Sequence, residues 1–519
     1  MRRSLPAALL LAALLTASAC SGGTATRADS SPSATATSSA PTPALGTTAP
    51  ATAQPKPAIA SPSFGKLSTW KSCSGGFQCA TLTVNLDDAK PSLGTVGLAM
   101  TRHKATGSHR IGSLVVNPGG PGASAVDFAQ NAYTSFPSSV RERFDVVAFD
   151  PRGVGHTEAV SCGTTAELDA YFHLNPVPVT PAEKAQYTAG NKKFDAGCLR
   201  RSKRILPYVS TRIVAQDLER VRQAVGDAKL TYLGYSYGTA LGASYLDQFP
   251  THVRAMVLDG ALDPTLSWDQ LLGGQSRGFD VALKAFLADC QQTSCAFRKA
   301  ATGDLGQAYD ALYAKVHKND LPGRGARTVG EDEFTLGVGE GLYSKRYGWP
   351  AIADALAAAQ KGDGGPMLTL SDDYLERQNG QYASISQSIN AVSCIDRPWP
   401  TTEDPYYAAA AKVGRDYPRF GPAIMLSGLL CATWPIAPVS TPHPVSGKGS
   451  PPILVIGTTG DPATPYVWAQ ALAQQLTSGV LLTHVGEGHT VYRIGAPSCI
   501  TNPVNSYLIS LKAPSPASC

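Results

Sequence analysis

Leu230-Thr231-Tyr232-Leu233-Gly234-Tyr235-Ser236-Tyr237-Gly238-Thr239 decides the fold. The brief apolar run Leu230–Leu233 leads into a G-x-S-x-G centred on Ser236, and a helical pattern follows over Thr239–Phe249. Strand, then G-x-S-x-G, then helix is the order that lifts a serine onto a strained turn at the edge of a sheet, where side chains at the flanking positions would clash. The plainer reading, an accidental Gly-Ser turn, leaves the strand and helix on either side unexplained. Ser236 is the candidate nucleophile.

Outward from this point the pattern repeats. Gln78–Asp87 and Thr95–Arg102 lie a short turn apart and predict an antiparallel pair. Ile111–Asn117, Phe144–Asp150, Leu230–Leu233 and Val253–Asp259 are short apolar runs closely followed by Gly, Asp or Pro, and predict parallel strands. Thr211–Val225 sets Ile213, Val214, Leu218, Val221 and Val225 at helical spacing, as a crossover helix requires. Past Pro264 the strand pattern lapses until Pro452–Gly457 and Gly479–His484. Between them the sequence predicts helices over Trp268–Ala288 (Ser267 and Gln270 forming a capping box), Leu305–Val316, Phe334–Tyr343, Pro350–Gln360 and Tyr406–Asp416. The expected class is α/β: a mostly parallel eight-stranded sheet with a large, mostly helical lid inserted between the sixth and seventh strands. Residues 67–264 form the first part of this core, 265–445 the lid and 446–519 the second part. No internal repeat occurs.

A serine hydroxyl is a weak nucleophile and needs an oriented base, and in this architecture the chain order is Ser, then Asp or Glu, then His. Of nine histidines, His443, His484 and His489 follow the helical patterns. His484 lies within an apolar strand and His443 in a Pro-rich loop, where structural or solvated roles fit better. His489, in Gly486-Glu487-Gly488-His489-Thr490, occupies a glycine-loosened loop past the last strand and is the candidate base. Asp461, in Gly460-Asp461-Pro462, occupies the matching loop after the preceding strand and is the candidate acid, against a plain Asp-Pro turn. Asp259 and Asp263, after the sixth strand, are the alternatives. The oxyanion needs backbone donors: the amide of Tyr237, and one from Asn117-Pro118-Gly119-Gly120-Pro121-Gly122. Glycine-rich loops also cradle phosphates, but neither G-x-G-x-x-G nor a G-K-[ST] ending is present.

Only 16% of the 519 residues are charged and 43% are hydrophobic, which excludes wholesale disorder. The net charge of +5 is spread without long basic runs and offers no footprint for nucleic acid. At the amino end, Arg2 and Arg3 precede an apolar run from Leu5 to Leu15, too short for a membrane anchor, and Ala17-Ser18-Ala19 fits a signal-peptide cleavage site. Residues 1–19 read as a signal peptide. Cys20 directly after it resembles a bacterial lipobox and is the expected lipid attachment point. Residues 20–66, rich in Ser, Thr, Ala and Pro, read as a tether with too little apolar surface to fold. Setting Cys20 aside leaves ten of the eleven cysteines as sequential neighbours: Cys73/Cys79, Cys162/Cys198, Cys290/Cys295, Cys394/Cys431 and Cys499/Cys519. Pairing neighbours is the simplest hypothesis in an oxidising compartment, though spacing selects no one connectivity. A zinc site is the alternative, without a C-x2-C pair or a His/Cys cluster to favour it.

NPGGPG, DPRGVGHT (Asp150–Thr157), GYSYG, LDG (Leu258–Gly260), GDPATP (Gly460–Pro465) and GEGHT together resemble the secreted tripeptidyl aminopeptidases and proline-iminopeptidase-like members of the α/β-hydrolases, from about residue 70 to the carboxyl end, TAP-like tail included. The resemblance implies the α/β-hydrolase fold, with Ser236 as nucleophile, Asp461 as acid, His489 as base, and Gly120 and Tyr237 as oxyanion donors. Proline iminopeptidases carry HGGPG where Pro118 replaces the histidine here, which weakens a transfer of proline specificity but not of a backbone oxyanion role. The DPRG turn is similar to a family element that supports the active-site edge. It further implies an exopeptidase that releases short peptides from free amino termini, which requires an anion for the substrate ammonium. Glu331, Asp332, Glu333 and Glu340 are available in the lid, and Glu340, between Gly339 and Gly341 in an apolar stretch, is the candidate. A solvated helix start accounts equally well for each. The expected enzyme is a monomer that acts on peptides, needs no metal or cofactor, and meets the membrane only through its lipid, outside the cytoplasm. A carboxylesterase or lipase with the same triad, and a non-catalytic surface binding protein on a hydrolase fold, are the alternatives.

Overall fold

The strands flanking Ser236 are covered on both faces, which is why they read as continuous apolar runs rather than alternating ones. The computed structural model describes residues 65–519, so the signal peptide, Cys20 and nearly all of the tether lie outside the described residues. Eight long strands form one sheet: β1 (Gln78–Asn85), β2 (Thr95–His103), β3 (Gly112–Asn117), β4 (Phe144–Phe149), β5 (Leu230–Tyr235), β6 (Val253–Asp259), β7 (Ile453–Gly460) and β8 (Gly479–Glu487). Their order is β1-β2-β4-β3-β5-β6-β7-β8. Only β2 runs against its neighbours; every other adjacent pair is parallel. This is the α/β-hydrolase topology. Three two-residue strands extend the sheet beyond the eight expected: Lys66–Leu67 and Lys71–Ser72 pair with β1, and Ala517–Ser518 pairs with β8. Sheet structure therefore begins at Lys66, one residue inside the boundary read for the tether.

Alternation along the strands sorts the core into two layers. Val115, Val147, Tyr232, Leu258 and Val455 face one side, and Leu114, Val116, Val146, Leu233, Val257 and Ile456 the other. The helices that cover these faces are α1 (Ala125–Asn131), α2 (Thr165–Tyr171), α3 (Pro181–Ser202), α4 (Thr211–Ala224) and α5 (Tyr237–Gln248). Val214, Leu218 and Val221 of α4 bury the stripe that the sequence pattern marked.

Between β6 and β7 the chain is an insertion of helices: α6 (Trp268–Thr293), α7 (Leu305–Lys318), α8 (Glu331–Leu342), α9 (Gly348–Gln360), α10 (Gly365–Tyr374), α11 (Ile385–Asp396), α12 (Asp404–Val413) and α13 (Gly421–Ser427). It carries two minimal hairpins and its own core, in which Phe279, Phe286, Leu312, Phe334, Val338, Ile352 and Met367 pack together. At about 1.5–3 kcal/mol per buried large apolar side chain, this cluster contributes to holding the insertion together, while Val392 and Ile395 of α11 pack into the core of the sheet. The chain then returns through β7, α14 (Tyr466–Gln475), β8 and α15 (Ser498–Ser510). Five disulfides join Cys73–Cys79, Cys162–Cys198, Cys290–Cys295, Cys394–Cys431 and Cys499–Cys519. These ten sulfurs are thereby removed from any zinc site. Among the described residues no helix is long and apolar enough to cross a membrane.

Candidate active site

Ser236 stands between β5 and α5 with φ 54° and ψ −126°, a conformation that side chains rarely tolerate. The turn is held by Ser236 N donating to Asp259 O at 2.9 Å and by Thr239, whose amide and hydroxyl donate to Ser236 O at 2.8 and 2.6 Å. Both glycines are required by space rather than by dihedral angle: a Cβ on Gly234 would lie 2.4 Å from Gly238 O, and one on Gly238 2.8 Å from Asn117 O. The strand-to-helix crossing is that tight.

His489 lies in the loop after β8. Its Nδ1 is 2.9 and 2.8 Å from the two carboxylate oxygens of Asp461, which fixes the proton on Nδ1 and leaves the lone pair on Nε2. Nε2 is buried and has no partner among the described residues, Ser236 included. Burial works against the imidazolium, but the Asp461 carboxylate outweighs it, and the net pKa of His489 is raised. Asp461 Oδ1 also accepts the amides of Ala463 and Thr464 at 2.9 and 2.8 Å. The Asp-Pro turn and the partnership with His489 are therefore one geometry, not rival readings.

The alternative acids are engaged elsewhere. Asp259 Oδ2 accepts the amides of Val491 and Tyr492 at 2.9 and 2.7 Å, anchoring the loop that carries His489, and burial pushes its carboxyl up to about 6. Asp263 bonds Thr265 and Gln475. His443 bonds Thr441 O and faces Asp247, while His484 stays in β8.

Opposite the elbow, the glycine-rich loop comes close enough that a Cβ on Gly119 would stand 2.9 Å from Ser236 Cβ and 3.0 Å from Tyr237 N. The amide of Gly119 is spent on Asn117 Oδ1 at 3.0 Å. Those of Gly120 and Tyr237 donate to no acceptor among the described residues; Tyr237 opens its helix, where amides lack a carbonyl one turn back. Two free donors thus flank the serine. Behind them Asp150 accepts Ser124 Oγ and the amides of Val126 and His156, and Arg152 pairs with Asp217, so the DPRG turn is a brace.

Several residues that sequence reading missed join the site. Thr464 Oγ1 lies 3.0 Å from Asp461 Oδ2 and 3.3 Å from His489 Nδ1. Tyr343, just after α8, meets the His489 ring edge-on at 5.2 Å and accepts the His489 amide at 2.9 Å. The threonine was visible in GDPATP as the fourth residue of an Asp-initiated turn; nothing local marks the tyrosine. Glu340 lies on α8 near Tyr343 and Tyr374, partly buried, its carboxyl pushed up to about 7 by burial and then by Asp373 and Glu376. Among the other lid acids, Glu333 pairs with His173 and Glu331 with His317.

A strained serine after a parallel strand, an Asp-oriented histidine and two free amides on an eight-stranded sheet define a serine hydrolase of the α/β-hydrolase class. The TAP-like protein family matches residues 417–519. Serine protease Hip1 of Mycobacterium tuberculosis is 36% identical over 485 residues, 89% of this chain and 92% of the relative. Carboxylesterase B of the same organism is 36% identical over 440 residues, 83% and 84% of the two chains. Tripeptidyl aminopeptidase of Streptomyces coelicolor is 32% identical over 459 residues, 85% and 83%. The chain belongs to the TAP-like α/β-hydrolase family that these enzymes represent, and it is itself a hydrolase.

Proposed function

We propose that the protein is a serine exopeptidase that releases short peptides, tripeptides foremost, from free amino termini. The observation that carries the acyl-transfer part of this reading is His489, with Nδ1 held by Asp461 and its buried Nε2 left free to take a proton. Ser236 Oγ attacks the scissile carbonyl carbon as its proton passes to Nε2, and the amides of Gly120 and Tyr237 stabilise the oxyanion. The imidazolium then returns the proton to the leaving amine as the C–N bond breaks. Water, deprotonated by the same nitrogen, hydrolyses the acyl-enzyme. Asp461 stabilises the imidazolium throughout.

Peptide rather than ester chemistry is supported by the two relatives named as a protease and an aminopeptidase. For the substrate ammonium, Glu340 is the partner: burial raises its carboxyl to about 7, and an arriving cation favours the ionised form, so the proton is released to solvent as the ion pair forms. The likeness to carboxylesterase B supports the second reading, an esterase on the same triad. Turnover of a free-amine chromogenic tripeptide is compared with that of its N-acetylated form. Loss of hydrolysis on acetylation is the expected result; equal rates favour the esterase. Ser236→Ala should abolish turnover in a folded protein, and wild-type turnover in that variant overturns the mechanism. The five disulfides support an oxidising location. The enzyme is secreted as a monomer and held at the outer face of the membrane by a lipid on Cys20, so Cys20→Ala should release it into the medium.

A further inference from the structure

Ser236, Asp461, His489 and Gly120 lie on loops of the sheet, Tyr237 opens α5 and Glu340 lies on α8, whereas α11, also in the helical insertion, carries none of the groups assigned to the reaction. Yet α11 touches the glycine-rich loop that presents one oxyanion donor and reaches Tyr237, the residue of the other, through Thr211 of α4. At its amino end, Ser384 Oγ donates to Gly122 O at 3.2 Å and accepts the amide of Gly155 at 2.8 Å, and Ser388 Oγ donates to Gly153 O at 2.6 Å. The fit is close: a Cβ on Gly122 would meet Ser388 Cβ at 2.9 Å and Ile385 Cα at 3.1 Å. The glycine-rich loop is thus pressed against the first turn of this helix.

At the carboxyl end of α11, Asp396 accepts from Thr211 twice, from the amide at 2.9 Å and from the hydroxyl at 2.5 Å. The single hydroxyl proton of Thr211 is committed to that carboxylate. Tyr237 Oη, 2.5 Å from Thr211 Oγ1, is therefore the donor in its own contact. A directed chain results, Tyr237 to Thr211 to Asp396, ending on a carboxylate and stronger than a neutral pair would be. Tyr237 is 9% exposed and Thr211 8%, so water does not compete for these bonds. Tyr237 is also the residue whose backbone amide faces the nucleophile. Because the ring and the amide belong to one residue at the first position of α5, fixing the ring fixes where that amide points.

We propose that Asp396 is a positioning residue of the reaction: through Thr211 it anchors the side chain of Tyr237 and so holds the oxyanion-binding amide in place, coupling the helical insertion to the chemistry at Ser236. This rests on the reading of Ser236 as nucleophile and the Tyr237 amide as oxyanion donor. An interaction that matters only once the oxyanion forms shows in kcat rather than KM.

The test uses Asp396→Asn, Tyr237→Phe and the double variant in the full chain, with steady-state turnover of a chromogenic tripeptide or ester and circular dichroism to verify folding. Tyr237→Phe removes one oxygen and keeps the amide, and decides the matter should Asp396→Asn not fold. Each single variant should lose about tenfold in kcat with KM held within about twofold, a fraction of the loss of a whole oxyanion donor. The double variant should lose no more than the worse single one, as members of one chain do. Wild-type kcat in folded Tyr237→Phe, or losses that multiply to about a hundredfold in the double variant, overturn the coupling. Ser236→Ala assayed alongside separates the two ideas. If it retains turnover the site reading fails; if it is inactive while the Asp396 and Tyr237 variants are unimpaired, only the coupling fails.

Discussion

At Ser236 the positive φ of 54° is a cost carried by the surrounding residues, not by the serine itself. The same division of labour sets the titration of His489. Burial alone would lower its pKa, Asp461 raises it, and the sum lies above the ordinary histidine value of about 6.5. In the proposed mechanism the neutral imidazole takes the proton of Ser236, so kcat/KM should fall as pH drops through a value above that of a free histidine. Asp461→Asn removes the raising partner and leaves burial unopposed. The acid limb should then move to lower pH, while the plateau falls by about a thousandfold or more because the ring loses its oriented tautomer. A pH profile of kcat/KM for both proteins checks this, and a limb that stays in place would assign it to another group. The placement of Ser236, Asp461 and His489 in loops after β5, β7 and β8 was legible because the proposed chemistry demands loops after particular strands. Tyr343 and Thr211 were not, because what they do depends on elements far away in the chain.

Among the elements, the strands were legible and the edges were not. Burial on both faces makes β3 and β4 largely apolar runs, with Ser113, Asn117 and Asp145 the polar residues within them, whereas the two-residue strands at Lys66, Lys71 and Ala517 carry no pattern long enough to read. The 22-residue α3 was missed for a related reason. Its buried residues are Tyr187, Asn191, Phe194, Asp195, Gly197, Cys198 and Ser202, three of them polar, and only the box of Thr180 and Glu183 with Pro181 between announces it. The DPRG turn shows how a legible motif can depend on an illegible partner. Arg152, 1% exposed, donates to Asp217 of α4 at 2.5 and 2.9 Å and to the carbonyls of Asn85 and Leu86 at the end of β1, joining three elements. Asp217→Ala takes this carboxylate from Arg152 and also from Arg220, whose Nη1 donates to it at 2.8 Å, and a loss of about 3–5 kcal/mol is expected in urea unfolding. Asp217→Asn keeps an acceptor and should lose less. Equal, small losses for both would show that the carbonyls alone satisfy Arg152.

Across the whole molecule, the helical insertion is fastened to the sheet side by side chains as well as by packing. The segment carrying α2 reaches it twice. Asp169 accepts Arg377 at 2.9 and 3.2 Å and Tyr382 Oη at 2.7 Å. His173 lies between two carboxylates of the insertion, with Nδ1 2.9 Å from Glu333 and Nε2 3.1 Å from Asp320. The bond to Glu333, against some opposition from burial, lifts its pKa to about 9, so His173 is charged at neutral pH and carries a proton to both partners. Its unfolded value is about 6.5, lower than the folded one. The stability it confers is therefore complete below pH 6.5 and lost as pH rises through about 9. Lysines and tyrosines titrate above that range in any variant, so the informative quantity is a difference. His173→Gln, which keeps a donor but no charge, should lower Tm at pH 7, and the gap from wild type should close by pH 10. A gap that stays constant between those pH values would mean that His173 joins the two parts by packing rather than by its proton.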